Sequence, residues 1–271
     1  MKKRLISLLM ITVMVLSLAA CQNKENSGED NSLKYIKNNG KLILGLDDAF
    51  PPMGFHDEAD NIVGFDIDLA RAVCEKLEIE LVLQPIEWDA KEQELSTKNI
   101  DCIWNGFSVT PDRLENMTMT KPYMTNNISL VVLKGSEVKT MADMAGKNLA
   151  VQSGSSAEET LNNEENKAFR ESLGQTNPLG DYETALMDME TGNSDAVLMD
   201  SVVANYMINE AGKDFVVLEE TLLADEYAIG FRKGEVALSD AVEAALKELK
   251  ADGTVEEIST KWFGSDITII E

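Results

Sequence analysis

Three segments decide the class of fold: KLILGL (residues 41–46), DIDLARAVCEKL (66–77) and ELVLQP (80–85). The first and third are short apolar runs with the length of β-strands. The middle segment carries apolar residues at helical spacing, such as Leu69 and Val73, which share one face. A strand, a helix and a second strand in this order predict a βαβ unit with two parallel strands.

The same alternation continues along the rest of the chain. Further strands are predicted at 100–107, 130–134, 148–152, 196–199, 215–218 and 227–232. Further helices are predicted at 90–98, 156–170, 182–190, 201–211, 236–250 and 255–262. This order predicts an α/β fold with parallel sheets covered on both faces. A chain of this length can form one large domain or two smaller ones.

The N-terminal segment has the composition of a secretory signal. Three basic residues at positions 2–4 precede an apolar run at 5–18, and small residues then precede Cys21. This order predicts a lipoprotein signal over residues 1–20, with a lipid on Cys21 as the membrane anchor. An ordinary signal peptide with a cysteine at the cleavage point is the alternative. The polar residues 21–32 predict a flexible tether, and we expect an extracytoplasmic, lipid-anchored protein.

Charge and cysteine content exclude several classes of function. The 271 residues include 24 basic and 48 acidic ones, a net charge of −24, and removal of residues 1–20 leaves about −27 because three basic residues are lost. Such acidity argues against nucleic-acid binding, which needs a basic face. His56 is the single histidine, so neither a zinc site nor a histidine-based triad is expected. Cys74 and Cys102 are predicted to be buried, and the pattern leaves a disulfide between them open. No cofactor or metal is expected.

Polar and aromatic residues follow the predicted strands at the ends where open α/β sheets bind ligands. Asp47 and Phe50 follow the strand at 41–46, and Trp88 follows the strand at 80–85. A ligand-binding role is not the only explanation of these residues. Aspartate is a common turn residue, and a tryptophan at a strand end usually packs against the core. Each of these signals is weak by itself.

The segment NGFSVTPDR (105–113) carries a more informative pattern. A strand ends near Ser108, and Thr110 and Pro111 predict the start of a helix. Arg113 then falls in the first helical turn, where the helix dipole disfavours a cation. This placement indicates an anionic partner, which a planar guanidinium can hold through two hydrogen bonds. A surface acid of the protein itself is the alternative partner.

Two more strand ends complete the candidate site. In QSGSS (152–156), free amides at a helix start attract anions, although helix capping by Ser155 and Ser156 explains the same residues. Asp200 is either a helix N-cap or a carboxylate that faces an ammonium group. With Arg113, these residues predict a site for an amino-acid zwitterion, in a cleft that strengthens charge pairing.

Five motifs give the chain a resemblance to a known family. They are GFDIDL (64–69), NGFSVTPDR (105–113), QSGSS (152–156), SDAVLMD (194–200) and KWFG (261–264). The motifs occur together in the order and spacing of one family. Through them the chain resembles the polar amino-acid solute-binding proteins of ABC importers. The likeness covers nearly all of residues 38–265.

The resemblance implies the two-lobed type II periplasmic-binding-protein fold, which closes on its ligand. Lobe 1 is expected to comprise residues 33–128 plus 232–271, and lobe 2 residues 129–231. The two hinge crossings are expected near 129–134 and 225–231. The implied partners are an amino-acid ligand and an ABC permease and ATPase complex, and we expect a monomer.

The resemblance also implies a role for each site residue. Arg113 would bind the α-carboxylate, and Asp200 would bind the α-ammonium with help from the Gly106 carbonyl. The α-carboxylate would also contact Ser108, Ser155 and Ser156. The ligand side chain would lie among Phe50, Trp88, Asp47, Gln152, Asn105 and Met199.

The far end of this pocket bears on the choice of ligand. Asp47 favours a ligand with a hydrogen-bond donor at its far end, such as glutamine, arginine or lysine. Cystine stays open, and acidic ligands are least favoured because no unassigned basic residue falls there. Asn105 can donate and accept, and Met199 is adaptable, so neither narrows the choice.

The sequence leaves two other functions open. One is an enzyme of the same fold, such as a dehydratase of cyclic dicarboxylates, in which a pocket carboxylate acts as an acid. It is disfavoured because a second arginine clamp is hard to find among Arg71, Arg170 and Arg232. The other is a receptor ectodomain that feeds a sensor.

Overall fold

The computed structural model describes residues 29–209 and 212–271. The strands are β1 (Lys41–Leu46), β2 (Ala49–Phe50), β3 (Gly54–His56), β4 (Ile62–Val63), β5 (Glu80–Pro85), β6 (Cys102–Ser108), β7 (Met117–Met119), β8 (Met124–Leu133), β9 (Asn148–Gln152), β10 (Gln175–Leu179), β11 (Ala196–Asp200) and β12 (Phe215–Arg232). The helices are α1 (Ser32–Asn39), α2 (Phe65–Lys76), α3 (Lys91–Ser96), α4 (Pro111–Asn116), α5 (Ser156–Asn162), α6 (Lys167–Ser172), α7 (Tyr182–Glu190), α8 (Ser201–Asn209), α9 (Val236–Ala251) and α10 (Thr254–Phe263).

The main sheet has the strand order β10-β9-β11-β8-β12-β6-β1-β5, with β7 paired to β12. Strands β5, β1 and β6 are parallel and form what we name the first triplet. Strands β10, β9 and β11 are also parallel and form the second triplet. Between them, β8 and β12 form the central pair, antiparallel to each other and to the triplet strands beside them. The sheet is therefore mixed: the predicted parallel pairing is found within each triplet, whereas the central pair is antiparallel.

Both faces of the main sheet are covered by apolar side chains. On β6, Cys102 and Trp104 belong to one buried cluster, whereas Ile103 and Phe107 belong to another. Alternate residues of a strand point to opposite faces, so β6 is buried on both sides. The prediction of strands covered on both faces is confirmed there.

The long central strand differs from its prediction. Residues 215–218 and 227–232 were predicted as two strands, but β12 runs without interruption from Phe215 to Arg232. The polar residues between them show no apolar alternation, and pairing with β8 holds them extended. Two register irregularities lie in this paired stretch, between Val217 and Leu223.

Other elements also differ from the prediction. The predicted helix at 156–170 is interrupted, because Asn163 has an extended backbone after α5. Strand β10 was not predicted because it contains Pro178; at the edge of a sheet a proline is tolerated. The sequence pattern also did not predict α1, which begins at Ser32, the last residue of the expected tether, or the small sheet of β2, β3 and β4.

The predicted signal and Cys21 lie outside the described residues. Within the described part of the chain, no helix is both long and apolar enough to cross a membrane. Cys74 and Cys102 are both buried, as predicted, and they are not bonded to each other.

Candidate functional site

Polar side chains from both triplets meet where the parallel strands end. Asp47 follows β1, and Ser108 ends β6 in the first triplet; Gln152 ends β9, and Asp200 ends β11 in the second. All four are buried. The carboxyl ends of strands therefore form a cleft between the triplets, where ligands bind in open α/β folds.

Asp47 links the two sides of the cleft. Its Oδ2 accepts a hydrogen bond of 2.6 Å from Gln152 Nε2, and its own amide donates to Asn105 Oδ1 at 3.0 Å. Burial raises the pKa of Asp47 to about 6, against lowering by hydrogen bonds from Ala49 and Gln152. The Oε1 of Gln152 and the Nδ2 of Asn105 are buried without a partner among the described residues. An acceptor and a donor are therefore free beside this carboxyl.

Aromatic rings form a second contact across the cleft. Phe50 stacks on Tyr182 of α7 with ring centroids 5.6 Å apart. Gly106 lies against the Phe50 ring and has a φ of +56°, and a Cβ at this position would come within 2.7 Å of that ring. A side chain at position 106 is thus excluded both by the backbone and by the ring.

Trp88 belongs to a different buried cluster from Phe50. It makes an edge contact with Phe107 at 6.0 Å, and the ammonium of Lys91 lies 5.2 Å from its ring centroid. Lys91 is buried and donates to the Gly154 carbonyl at 2.8 Å, which makes a third contact across the cleft. The pKa of Lys91 is lowered by its burial and by the nearby Arg113 charge.

Arg113 is a buried cation with few partners. Thr110 caps α4 by accepting from the Arg113 amide at 3.3 Å, which confirms the predicted helix start. The guanidinium donates to the Ser108 carbonyl at 2.8 Å and lies 4.1 Å from the Phe107 ring centroid. Among the described residues, no carboxylate oxygen lies within 4.0 Å of it. Burial is the main cause that lowers the pKa of Arg113, against raising by the more distant charges of Glu159, Glu92, Asp225 and Asp200.

The three predicted serines lie close to this cation. Ser108 Oγ donates to Asp225 Oδ2 at 2.6 Å and lies 2.8 Å from Ser156 Oγ, across the cleft. Ser155 caps α5 by accepting from the Glu158 amide, and its hydroxyl donates to the Gln152 carbonyl. The predicted cap at Ser155 is therefore confirmed, and its hydroxyl proton is already used.

Asp200 is held by neutral donors. Tyr182 and Tyr227 each donate a hydroxyl to it at 2.7 Å, and the Asn126 amide donates to it as well. Burial is the main cause that raises the pKa of Asp200 to about 6, and the nearby Asp225 charge raises it further. The sequence offered helix capping as the alternative role of Asp200. At the start of α8, however, it is Asn126 whose Oδ1 accepts a hydrogen bond from the Val202 amide, at 3.4 Å.

Met199 precedes Asp200 and is fully buried in the large apolar cluster. The site also contains residues that the sequence did not single out, namely Lys91, Asn126, Tyr182, Asp225 and Tyr227. Asn126, Asp225 and Tyr227 lie inside the central pair rather than after the end of a parallel strand, where ligand contacts are expected in open α/β sheets. Tyr182 follows β10, the strand that was not predicted. Residues 219–226, which contain Asp225, show no apolar alternation, so no local pattern could have identified it.

Comparison with known proteins identifies the family. The model of the bacterial extracellular solute-binding proteins, family 3, matches residues 42–265. The chain belongs to this family. The match confirms the resemblance that the motifs predicted, and with it the two-lobed α/β fold. The proteins of this family are extracellular.

Individual solute-binding proteins are similar over most of their length. The chain is 29% identical to the L-cystine-binding protein TcyJ of Escherichia coli (strain K12), covering 94% of this chain and 95% of that one. It is 30% identical to the arginine-binding extracellular protein ArtP of Bacillus subtilis (strain 168), covering 97% and 98%. A crystal structure of an ABC uptake transporter substrate-binding protein from Streptococcus pneumoniae with bound histidine is 38% identical. It covers 90% of this chain and all of that chain, with a TM-score of 0.83. These relatives are binding proteins.

Proposed function

We propose that this solute-binding protein captures a polar amino acid outside the cytoplasm and delivers it to an ABC importer, acting as a receptor and not as an enzyme. In this proposal Arg113 binds the α-carboxylate and Asp200 the α-ammonium. Turnover of a cyclic dicarboxylate, the reaction of the alternative enzyme, would contradict it.

The observation that carries the proposal is the buried charge of Arg113. Arg113 lines a cavity of about 450 Å³ together with Lys91, Gly154 and Ser155, and five acidic residues line it as well: Asp89, Glu92, Asp112, Glu158 and Glu159. No carboxylate of the described residues lies within 4.0 Å of the guanidinium, so this buried cation lacks a direct ion-pair partner, and a buried charge is unfavourable unless it is paired and hydrogen-bonded. A ligand carboxylate supplies that partner, and the hydroxyl of Ser156 and the amides at the start of α5 add donors.

The opposite charge lies elsewhere in the cleft. Asp200 and Asp225 are both buried, and no lysine or arginine of the described residues lies within 4.0 Å of either. A zwitterion matches this separation of charges, since each of its ends meets the opposite sign.

The choice of ligand depends on Asp47 and the residues around it. Asp47 accepts from Gln152, and Gln152 Oε1 remains free to accept. These acceptors favour a ligand with a terminal donor, so we propose glutamine or a basic amino acid, with cystine as a further candidate. The arginine, cystine and histidine named for its relatives support this range.

Thermal unfolding of the ligand-stripped chain, residues 22–271, tests the proposal directly. Each of the twenty amino acids, cystine and ornithine is added separately at a large excess. At 100 times Kd a ligand stabilises the native state by about 2.7 kcal/mol, which gives a clear rise in Tm. We expect a rise with one or a few polar amino acids. No rise with any of them would contradict the amino-acid site.

The membrane anchor is a separate part of the proposal. We propose that Cys21 carries lipid after removal of residues 1–20, and that residues 21–32 tether the protein to the cell membrane. Cys21→Ser should move the protein from the membrane fraction to the medium, whereas Cys74→Ser, a buried cysteine in the folded body, should not. Retention of the Cys21→Ser protein on membranes would contradict the anchor.

The domain boundaries and oligomeric state also stay proposals. We propose a monomer with lobe 1 at residues 33–128 plus 232–271, lobe 2 at 129–231 and hinge crossings near 129–134 and 225–231. Ligand binding to both lobes would favour the closed form through contacts that only this form makes.

A further inference from the structure

Asp225 lies in the middle of β12, inside the central pair and beside the proposed ammonium site. Only 5% of the residue is exposed. Its Oδ2 accepts from Ser108 Oγ at 2.6 Å and from Asn126 Nδ2 at 3.0 Å. Its Oδ1 is buried and has no hydrogen-bond partner among the described residues. A buried acceptor without a donor is costly, and this carboxylate therefore has capacity for one more donor.

A single amide connects Asp225 to Asp200. Asn126 Nδ2 donates to an oxygen of each carboxylate, so the two acids lie on either side of one nitrogen. Two carboxylates this close in a buried site cannot both ionise easily unless a cation joins them. Among the described residues, no lysine or arginine pairs with either.

We propose that Asp225 is a second carboxylate of the ammonium site, with its free Oδ1 accepting a hydrogen bond from the same α-ammonium that Asp200 binds. The inference rests on the proposed function. A primary ammonium has three donors, and the two carboxylates together with the Gly106 carbonyl offer three acceptors. The pair would thereby select for ligands that carry a positive amino group.

The charged and titratable groups that face this pair determine how it responds to pH. They are Arg113 on α4, whose charge lowers the pKa of Asp225, and Tyr182 and Tyr227, which donate to Asp200. The pKa values of both tyrosines lie well above 10, so the tyrosines stay protonated. Burial raises the pKa of Asp225, and that of Asp200 to about 6. Binding of an ammonium lowers both values and must therefore release protons near pH 6.

Titration calorimetry at pH 6, in two buffers with different ionisation enthalpies, counts these protons. The probe is whichever of L-glutamine, L-arginine, L-lysine and L-cystine binds the parent protein most tightly. For the parent we expect release of roughly half a proton or more, because a group with a pKa of about 6 is half protonated there. Asp225→Asn should weaken binding at least about tenfold and release fewer protons.

Asp214→Asn is the matched control, since Asp214 is exposed immediately before β12; it should bind and release protons as the parent does. Asp225→Glu, which keeps the charge, should restore most of the proton release. If Asp225→Asn does not fold, Asp225→Ala takes its place. Parent-like affinity and proton release in the charge-removed variant would overturn the role of Asp225 alone. Absence of binding to the parent by all four probes would instead overturn the proposed function, and this inference with it.

Discussion

Arg113→Ala should remove measurable amino-acid binding while the protein stays folded. Loss of a buried charged partner costs about 2–5 kcal/mol, so a ligand of micromolar affinity would bind at least about 30-fold more weakly. The fold should tolerate the change, because the guanidinium makes one hydrogen bond to a carbonyl and no ion pair within 4.0 Å among the described residues. Calorimetry measures the affinity, and thermal unfolding without ligand checks the fold.

Two variants sharpen that result. Arg71→Ala removes an exposed arginine from α2 and should leave binding unchanged. Arg113→Lys keeps the charge but loses the planar fork, so an intermediate affinity is expected. Tight binding by Arg113→Ala would show that the ligand carboxylate is held elsewhere.

Asp200→Asn should weaken binding by a similar factor and yet stabilise the ligand-free protein at neutral pH. The folded protein raises the pKa of Asp200 from 3.8 to about 6, so its ionised form is disfavoured by folding. Each pKa unit corresponds to about 1.4 kcal/mol. An uncharged amide of the same shape avoids that cost but cannot attract an ammonium. A parallel measurement of Tm and Kd tests both halves, and an unchanged Kd would refute the ammonium role.

The raised pKa values of buried carboxyls predict that a fall in pH increases the stability of the ligand-free parent protein but weakens its affinity for the ligand. Folding raises the pKa of Asp47 and Asp200 to about 6 and that of Asp66 to about 7. The folded state therefore binds more protons than the unfolded state between these values and about pH 4, and the ligand-free protein gains stability as the pH falls through that range. Ligand affinity should fall over the same range, because protonated Asp200 no longer pairs with an ammonium. A Tm that drops between pH 7 and pH 5 would contradict these shifts.

The sequence could predict elements whose side chains reveal their environment. The helix α2 and the strands β1, β5 and β9 were found within a residue or so, since apolar periodicity follows burial. Strand β12 was broken in the prediction because its middle is extended through backbone pairing with β8. Its side chains are mostly polar there, so no periodic signal exists. The small sheet of β2, β3 and β4 has strands too short to show a period.

Some residues of the candidate site could likewise be predicted from the sequence, and others could not. Asp47, Arg113 and Asp200 follow strands or begin helices, and their places near the cleft could be expected from chain order and the rule for open sheets. Lys91 and Asp225 could not. Lys91 reaches Gly154, which is 63 positions away, and Asp225 reaches Ser108, which is 117 positions away. Contacts of this kind depend on how the central pair brings distant segments together, and no local pattern encodes them.

The central pair also constrains the order in which the chain can fold. The first triplet is made from residues before 109, but its inner strand β6 pairs with residues 227–230 of β12, and α9 and α10 pack against α2. Its core is therefore incomplete until the last third of the chain has been synthesised. Bringing such distant segments together is slow, because chain entropy opposes closure of long loops. The native first triplet can therefore be completed only after the final helices are available, so folding of this half of the sheet follows synthesis of nearly the whole chain.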